Sequence, residues 1–492
     1  MIVRAAQDCS RERSRETSRR SSFRACRSGD LLLNASMDER GTRGSDLQRV
    51  RLPPNGGIPS GSFGRMNSPR APRSRIGAVA STKPLAVAPR RKSESRMGRV
   101  LIMTQPASLG HFAPFVGPVQ WLRRMGHRVG WMCMNDHRAA QVKHLGVDVL
   151  RTKGDAPIAL FGVDWMRPGE DAAYLETYHN QWIGSVPQCL ELARPVIAEY
   201  RPDVMVCDAL NFAAHIAAQN EGIPYVGVDT NLFTLGAGPV DSRFNRTIPQ
   251  IFPARDEMFA RHGAQSEFGF VEAIAPRRNI VFTTPGFVGD RRAIPPNTLL
   301  VGPSLPLESL DLSPGFPIEQ IPNDRPLVYL SLGTLFWRHR PALFGIVAQA
   351  ASELGVELVI SAADFAHSPE ARSFGKNVRV FPFVPQMKLL KRASVFVTHG
   401  GANSIMEGLC FGVPMLVTPV DFDQPVNGYY VQKSGAGLSI DADRLTVESC
   451  RAALADMIRS ESPYRDAARR VQADYRSHDG AKTTAEEIDA VL

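Results

Sequence analysis

No uninterrupted apolar run in this 492-residue chain approaches the roughly 18 to 20 residues that cross a bilayer as a helix, so a transmembrane segment is not expected. No CxxC pair occurs either. The seven cysteines (Cys9, Cys26, Cys133, Cys189, Cys207, Cys410 and Cys450) are odd in number and scattered, which argues against a disulfide framework or a structural zinc site. A reducing compartment follows, and a cytoplasmic protein is expected, with attachment to a membrane surface left open. No compact aspartate-rich motif offers a magnesium site.

Basicity is also missing where the formal net charge of +9 would suggest it. Residues 1–96 carry 21 Lys and Arg against 8 Asp and Glu, which leaves 37 basic and 41 acidic residues for the remainder. That front segment is rich in Arg, Ser, Pro and Gly and has no sustained periodicity, a composition that does not readily build a core. It reads first as a disordered basic extension or an over-long start, with Met97 as the alternative first residue. An organelle transit segment is disfavoured by its eight acids. A nucleic-acid tail would exploit the arginines but lacks aromatic interleaving, so no specific nucleic-acid partner is expected.

From Val100 the chain alternates between apolar strands and helices: RVLIM, FVGPVQWLRRMG, HRVGWMCM, then DVMVC, NFAAHIAAQNEG and YVGV. Continuous apolar strands separated by helices predict a parallel sheet covered on both faces. Between these runs lies the less regular FGVDWMRPGEDAAYLETYHNQWIG, whose aromatic content suits a pocket wall. The pattern repeats after a Pro-rich linker at 305–325, with LVYLSLG, VELVISA, NVRVFPF, VFVT and PMLVTPV as strands. An α/β fold of two doubly wound parallel-sheet domains facing across a cleft is expected, with boundaries at 97–304 and 326–475 and a C-terminal helix over 476–492.

The stretch VFVTHGGANSIMEG turns the end of a strand into the start of a helix. Small residues there permit close backbone approach, and the unpaired amides of a helix N-terminus favour an anion. A phosphate is expected beside His399, Gly401, Asn403 and Ser404. Glu407 lies three residues after Ser404, so the two could instead form a local capping box.

These residues carry a resemblance. THGGANSIMEGLCFGVPMLVTPVDFDQ, preceded by FPFVPQMKLL and by VYLSLGT at 328–334, resembles the donor-binding signature of the UDP-glycosyltransferase superfamily, which includes macrolide and plant-type natural-product enzymes. GHFAPFVGPVQWLRRMGHRV resembles that family's first strand, loop and helix, so the resemblance covers most of 98–480. It implies the GT-B fold. It implies that His399 lies at the diphosphate with Asn403, Ser404 and nearby amides, and that Ser331 and Thr334 border it from the facing loop. Glu407 would accept hydrogen bonds from the ribose, and Gln386 would lie near the nucleoside. Phe383 stands where many relatives have a tryptophan that stacks on the base; it can stack but has no indole nitrogen. Asp423 and Gln424 would bind hydroxyls of the transferred sugar.

His111 is chemically suited to take a proton near neutral pH, and the resemblance implies that it is the general base. Asp208, at the end of DVMVC, matches the aspartate that orients this histidine, with Asp229 as a weaker substitute. The implied reaction is inverting transfer of a sugar from a nucleotide diphosphate sugar, with UDP-glucose the preferred donor, to a hydroxyl of an apolar small molecule or lipid. The rivals are a noncatalytic nucleotide-sugar-binding protein, in which replacing His111 would be silent, and a nucleotide-sugar epimerase, which needs no second substrate.

Overall fold

The computed structural model describes residues 97–105, 110–157, 170–236, 238–289, 294–295, 297–308, 315–333 and 336–492. The basic front segment and Thr334 lie outside the described residues, as do residues 161–169 of the aromatic stretch.

In chain order the first strands are β1 (Arg99–Met103), β2 (Arg128–Cys133), β3 (Asp148–Arg151), β4 (Val204–Asp208) and β5 (Tyr225–Asp229). A short antiparallel hairpin, β6 (Glu267–Phe268) and β7 (Ala273–Ile274), is followed by β8 (Asn279–Val281) and β9 (Thr298–Leu300). Apart from the hairpin they form one seven-stranded parallel sheet in the order β3-β2-β1-β4-β5-β8-β9. The central strands are apolar because both faces are covered: Val100, Leu101, Val204, Met205 and Val226 are completely buried. Each such side chain removed from water contributes roughly 1.5–3 kcal/mol.

The second half adds β10 (Leu327–Ser331), β11 (Glu357–Ser361), β12 (Val378–Phe381), β13 (Val395–Thr398), β14 (Met415–Val417) and β15 (Gly437–Ser439). These make a six-stranded parallel sheet, β12-β11-β10-β13-β14-β15. Two doubly wound sheets facing each other across a cleft are the GT-B arrangement. Both sheets reverse their winding direction once, between β1 and β4 in the first and between β10 and β13 in the second. Such reversals leave a crevice beyond the carboxyl ends of the strands, where ligands bind in open α/β sheets.

The chain ends by returning to the first half. Helix Gly480–Asp489 packs against helix Ala113–Arg124, with Ala481, Ala485 and Ile488 buried. Its approach is close: a Cβ on Gly480 would stand 2.2 Å from the Gly302 carbonyl oxygen, and one on Gly117 would stand 2.7 Å from Ala481 Cβ.

The aromatic stretch departs from the expected pocket wall. Asp171–His179 is a helix continued by a wider turn over Asn180–Gly184. Tyr174, Tyr178 and Trp182 recur every four residues, share one helical face and are almost completely buried. They form the interior of an aromatic cluster, not an open surface.

Candidate active site

His111 follows β1 and Asp208 ends β4, so the first winding reversal brings together two residues 97 positions apart. His111 Nδ1 lies 2.8 Å from Asp208 Oδ2. A carboxylate can only accept, so Nδ1 carries the proton and Nε2 is left as the base. The carboxylate is held in turn by the Leu210 amide, which donates to Oδ1 at 3.0 Å. Asn211 fastens the same corner: its Oδ1 caps helix Phe212–Asn220 by accepting from Ala214, and its Nδ2 donates to the Thr104 carbonyl just beyond β1. Both members of the pair are buried. Burial alone would lower the imidazole pKa, but the charge and hydrogen bond of Asp208, with smaller help from Asp423 and Asp229, leave it raised.

Two further residues complete this corner. Thr230 Oγ1 stands 2.9 Å from the same Nδ1, a second partner for that proton that no motif marks. Asp229 instead receives the Asn231 and Thr234 amides and so braces the turn after β5, and burial raises its pKa. Asp208, not Asp229, is the partner of His111.

At the second reversal, Ser331 ends β10 and His399 follows β13. His399 hydrogen-bonds the Ser331 backbone, and its ring sits between two glycines. A Cβ on Gly333 would lie 2.8 Å from its Nε2, and one on Gly401 would lie 2.7 Å from the same atom. The glycines are therefore required by the ring as much as by any ligand. Burial lowers the His399 pKa to about 4, so the imidazole is neutral at pH 7, and the one N–H of a neutral ring is spent on the Ser331 carbonyl.

Helix Ala402–Cys410 begins beside this ring with Gly401 as its N-cap, and no side chain caps it. The capping-box alternative for Ser404 and Glu407 is thus not what the chain adopts, and Ser404 lies within the first turn of the helix. Glu407 accepts from Gln386 Nε2 at 2.8 Å, and Gln386 Oε1 accepts from Tyr329 at 3.0 Å. Burial raises the Glu407 pKa to about 7. Phe383, close in sequence to Gln386, is 52 % exposed, an unusual setting for a large apolar ring and one suited to stacking on a flat ligand. Asn403 reaches across the cleft, where its Nδ2 donates to the Gly110 carbonyl at 2.8 Å.

Asp423 and Gln424 are not in an ordinary polar loop. Gln424 opens helix Gln424–Lys433, and Asp423 stands at its N-cap position. Gln424 Oε1 accepts from the Val420 and Asp421 amides, while its Nε2 is buried with no hydrogen-bond partner. Asp423 Oδ2 accepts from Asn427 Nδ2 at 2.6 Å, and Asn427 Oδ1 is likewise buried and unpaired. Burial raises Asp421 and Asp423 to about 6. Between them Phe422 has φ of 61°, the left-handed region, which costs a residue with a side chain on the order of 1–3 kcal/mol.

The structure therefore groups His111 with Asp208 on one side of the cleft, and His399, Gly401, Asn403, Glu407 and Gln386 on the other. The Asn403 bond joins the two sides, and Asp423 lies close enough to raise the pKa of His111. A small crevice of about 20 Å³ lies at this junction, lined among others by Thr230, Asn231, Asn403, Met406 and Tyr475. Among the described residues no three His, Cys, Asp or Glu side chains gather as a metal site, and no helix is long and apolar enough to cross a membrane.

The fold agrees with what the chain resembles. Residues 346–491 match the family described as erythromycin biosynthesis protein CIII-like, C-terminal domain. The chain is 29% identical over 214 residues to the uncharacterised UDP-glucosyltransferase YdhE of Bacillus subtilis, covering 44% of this chain and 53% of that protein. It thus spans about half the length of that curated relative. To the NDP-glycosyltransferase YjiC of Bacillus subtilis it is 23% identical over 413 residues, 78% of this chain and 95% of the relative. Among solved structures, the glycotransferase of kitacinnamycin superposes with a TM-score of 0.65 at 24% identity, covering 81% of this chain and all of that one. The class defined in common is the GT-B fold, and the sequence similarity is to nucleotide-sugar glycosyltransferases.

Proposed function

We propose that the protein transfers a sugar, with glucose the expected one, from a nucleotide diphosphate sugar to a hydroxyl of an apolar small molecule or lipid. The observation that carries this reading is the position of the His111–Asp208 pair at one winding reversal, opposite a helix N-terminus and a neutral His399 at the other. A base faces an anion site across one cleft. The unpaired buried atoms beside it, Gln424 Nε2 and Asn427 Oδ1, support a polar ligand, since leaving such a group unsatisfied costs about 1–3 kcal/mol.

In this mechanism Nε2 of His111 takes the acceptor's hydroxyl proton as its oxygen attacks the anomeric carbon. The bond from that carbon to the diphosphate oxygen breaks, and its electron pair leaves with the nucleotide. A single displacement inverts the carbon. Asp208 holds Nδ1 and balances the imidazolium that forms. The amides at the start of helix Ala402–Cys410 stabilise the charge arriving on the departing phosphate, beside the neutral His399 ring. UDP is favoured by Glu407, poised for ribose hydroxyls, and by the exposed Phe383, poised for the base.

The test is a mass-resolved assay of the full chain with UDP-glucose and dTDP-glucose against a panel of apolar hydroxyl compounds. Gain of one hexose mass by an acceptor is expected. Binding of donor with no product from any acceptor would favour a noncatalytic binding protein, and interconversion of the donor sugar without an acceptor would favour an epimerase.

A further inference from the structure

We propose that Phe422 is a positioning residue, an aromatic latch that sets the Asp423 and Gln424 sugar contacts in place when the two halves of the molecule dock. The inference rests on the glycosyltransferase reading above. Phe422 belongs to the second half of the chain, yet its ring packs on residues of the first. Its centroid lies 4.9 Å from Phe244 and 5.5 Å from Phe233, both edge-on, and 5.9 Å from Trp182. It also lies 6.2 Å from Tyr178, with the rings 13° from parallel. Those four partners are buried, whereas Phe422 is only partly so and packs against their cluster. The neighbouring Asp421 makes a second crossing, its Oδ1 accepting from the Tyr174 hydroxyl at 2.9 Å.

The next two residues bond within their own half: Asp423 to Asn427, and Gln424 to the Val420 and Asp421 amides. Two consecutive residues are therefore fixed from one side of the cleft, and the two that follow from the other. The left-handed backbone at Phe422 joins them. Aromatic contact in the cluster offsets the cost of that conformation. With the halves apart the contact is lost, the loop is free to relax, and Asp423 and Gln424 leave the arrangement in which Gln424 Nε2 is buried and unpaired. The latch thus makes the sugar part of the donor site dependent on closure, while the nucleotide part around Phe383, His399 and Glu407 is independent of it.

The experiment is calorimetric titration of the full-length protein with UDP and with UDP-glucose, repeated with the dTDP pair. It compares the wild type with Phe422→Ala, Phe422→Gly and Tyr174→Phe, each checked for native circular dichroism. The quantity read is the ratio of the Kd for the nucleotide sugar to the Kd for the bare nucleotide. Phe422→Ala is expected to raise this ratio at least fivefold with nucleotide affinity unchanged within twofold. Tyr174→Phe, which removes one hydroxyl and keeps the ring, is expected to raise it by a smaller factor and guards against a folding defect in the first variant. Glycine relaxes the backbone but supplies no ring, so Phe422→Gly should match alanine. A wild-type ratio in Phe422→Gly would mean that backbone conformation alone sets the loop, and would overturn the latch. An unchanged ratio in all three variants would also overturn it. Wild-type protein that binds none of the four ligands would refute the donor-site reading itself, and the latch with it.

Discussion

In the proposed reaction His111 gathers most of the chemistry into one side chain, and its surroundings set the sign of each expected effect. His111→Ala should lower kcat/KM by about 10²–10⁴-fold while UDP affinity, read by titration, stays near wild type. Equal turnover by both proteins would remove His111 from the chemistry. The base works only when neutral, and Asp208 raises its pKa, so activity should climb with pH through a value above the ordinary 6.5. In Asp208→Asn that acidic limb should shift to lower pH even as the maximum rate falls. Stability follows the same group: a raised histidine stabilises the fold below its unfolded pKa and loses that contribution as pH rises through the folded one. Asp208→Asn should therefore lower the melting temperature more at pH 5.5 than at pH 9. Glu407 is raised from 4.5 to about 7, so its contribution is full below pH 4.5 and is lost as pH rises through 7. Glu407→Gln should raise the ligand-free melting temperature at pH 8, change it little at pH 4, and weaken UDP binding. His111, Asp208 and Glu407 are singled out because their motifs match those of the resembled family; residue type alone supports only His111, as a candidate base. Thr230 is not marked in this way, because a threonine after an apolar strand has no distinguishing spacing, and only the fold brings its hydroxyl to His111.

At the scale of the element, the strand, glycine turn and helix over 395–410 form the unit proposed to hold an anion. VFVTHGGAN is readable as such from its apolar run and small residues, and the structure supplies Val395–Thr398 followed by Ala402–Cys410. Gly401→Ala keeps an ordinary backbone conformation, since φ there is −60°, but its Cβ would meet His399 Nε2 at 2.7 Å. The helix should form as before, and the displaced ring should cost about tenfold in UDP affinity, near 1.4 kcal/mol. Unaltered UDP affinity would show that the ring position is immaterial to the donor. Helix Gln424–Lys433 was hidden for a physical reason: it opens with Gln424 and Pro425 after a polar DFD turn, and no side chain caps it. Strand β15, of three residues, is too short to declare a period and exists because β14 offers it an edge. The helical face of Tyr174, Tyr178 and Trp182 is buried; aromatic content alone does not tell a lined cavity from a filled one.

The whole molecule depends on contacts that join distant parts of the chain. Ile488, near the C-terminus, is completely buried where the last helix rests on Ala113–Arg124. Ile488→Ala should cost about 2–5 kcal/mol in urea unfolding, and the loss should appear in the first half of the chain although the substitution lies at its far end. Across the cleft, Asn403 to Gly110, Tyr174 to Asp421 and Lys433 to the Val288 carbonyl hold the halves together. These bonds involve residues that nothing in a one-dimensional pattern marks as partners.

By itself the sequence determined the alternation of strands and helices, the parallel character of both sheets and the residue types of the donor and base sites. Those features are local: continuous apolar runs, glycines at turns and helix starts act over a few residues and are written in neighbouring letters. Only the tertiary structure decided the strand order, hence the two winding reversals that place His111 beside Asp208 and Ser331 beside His399. It alone decided that Phe422 would leave its own half to pack against an aromatic cluster in the other. Strand order and docking are set by how whole layers bury their apolar faces against one another, a balance spread over hundreds of residues and visible at none of them singly.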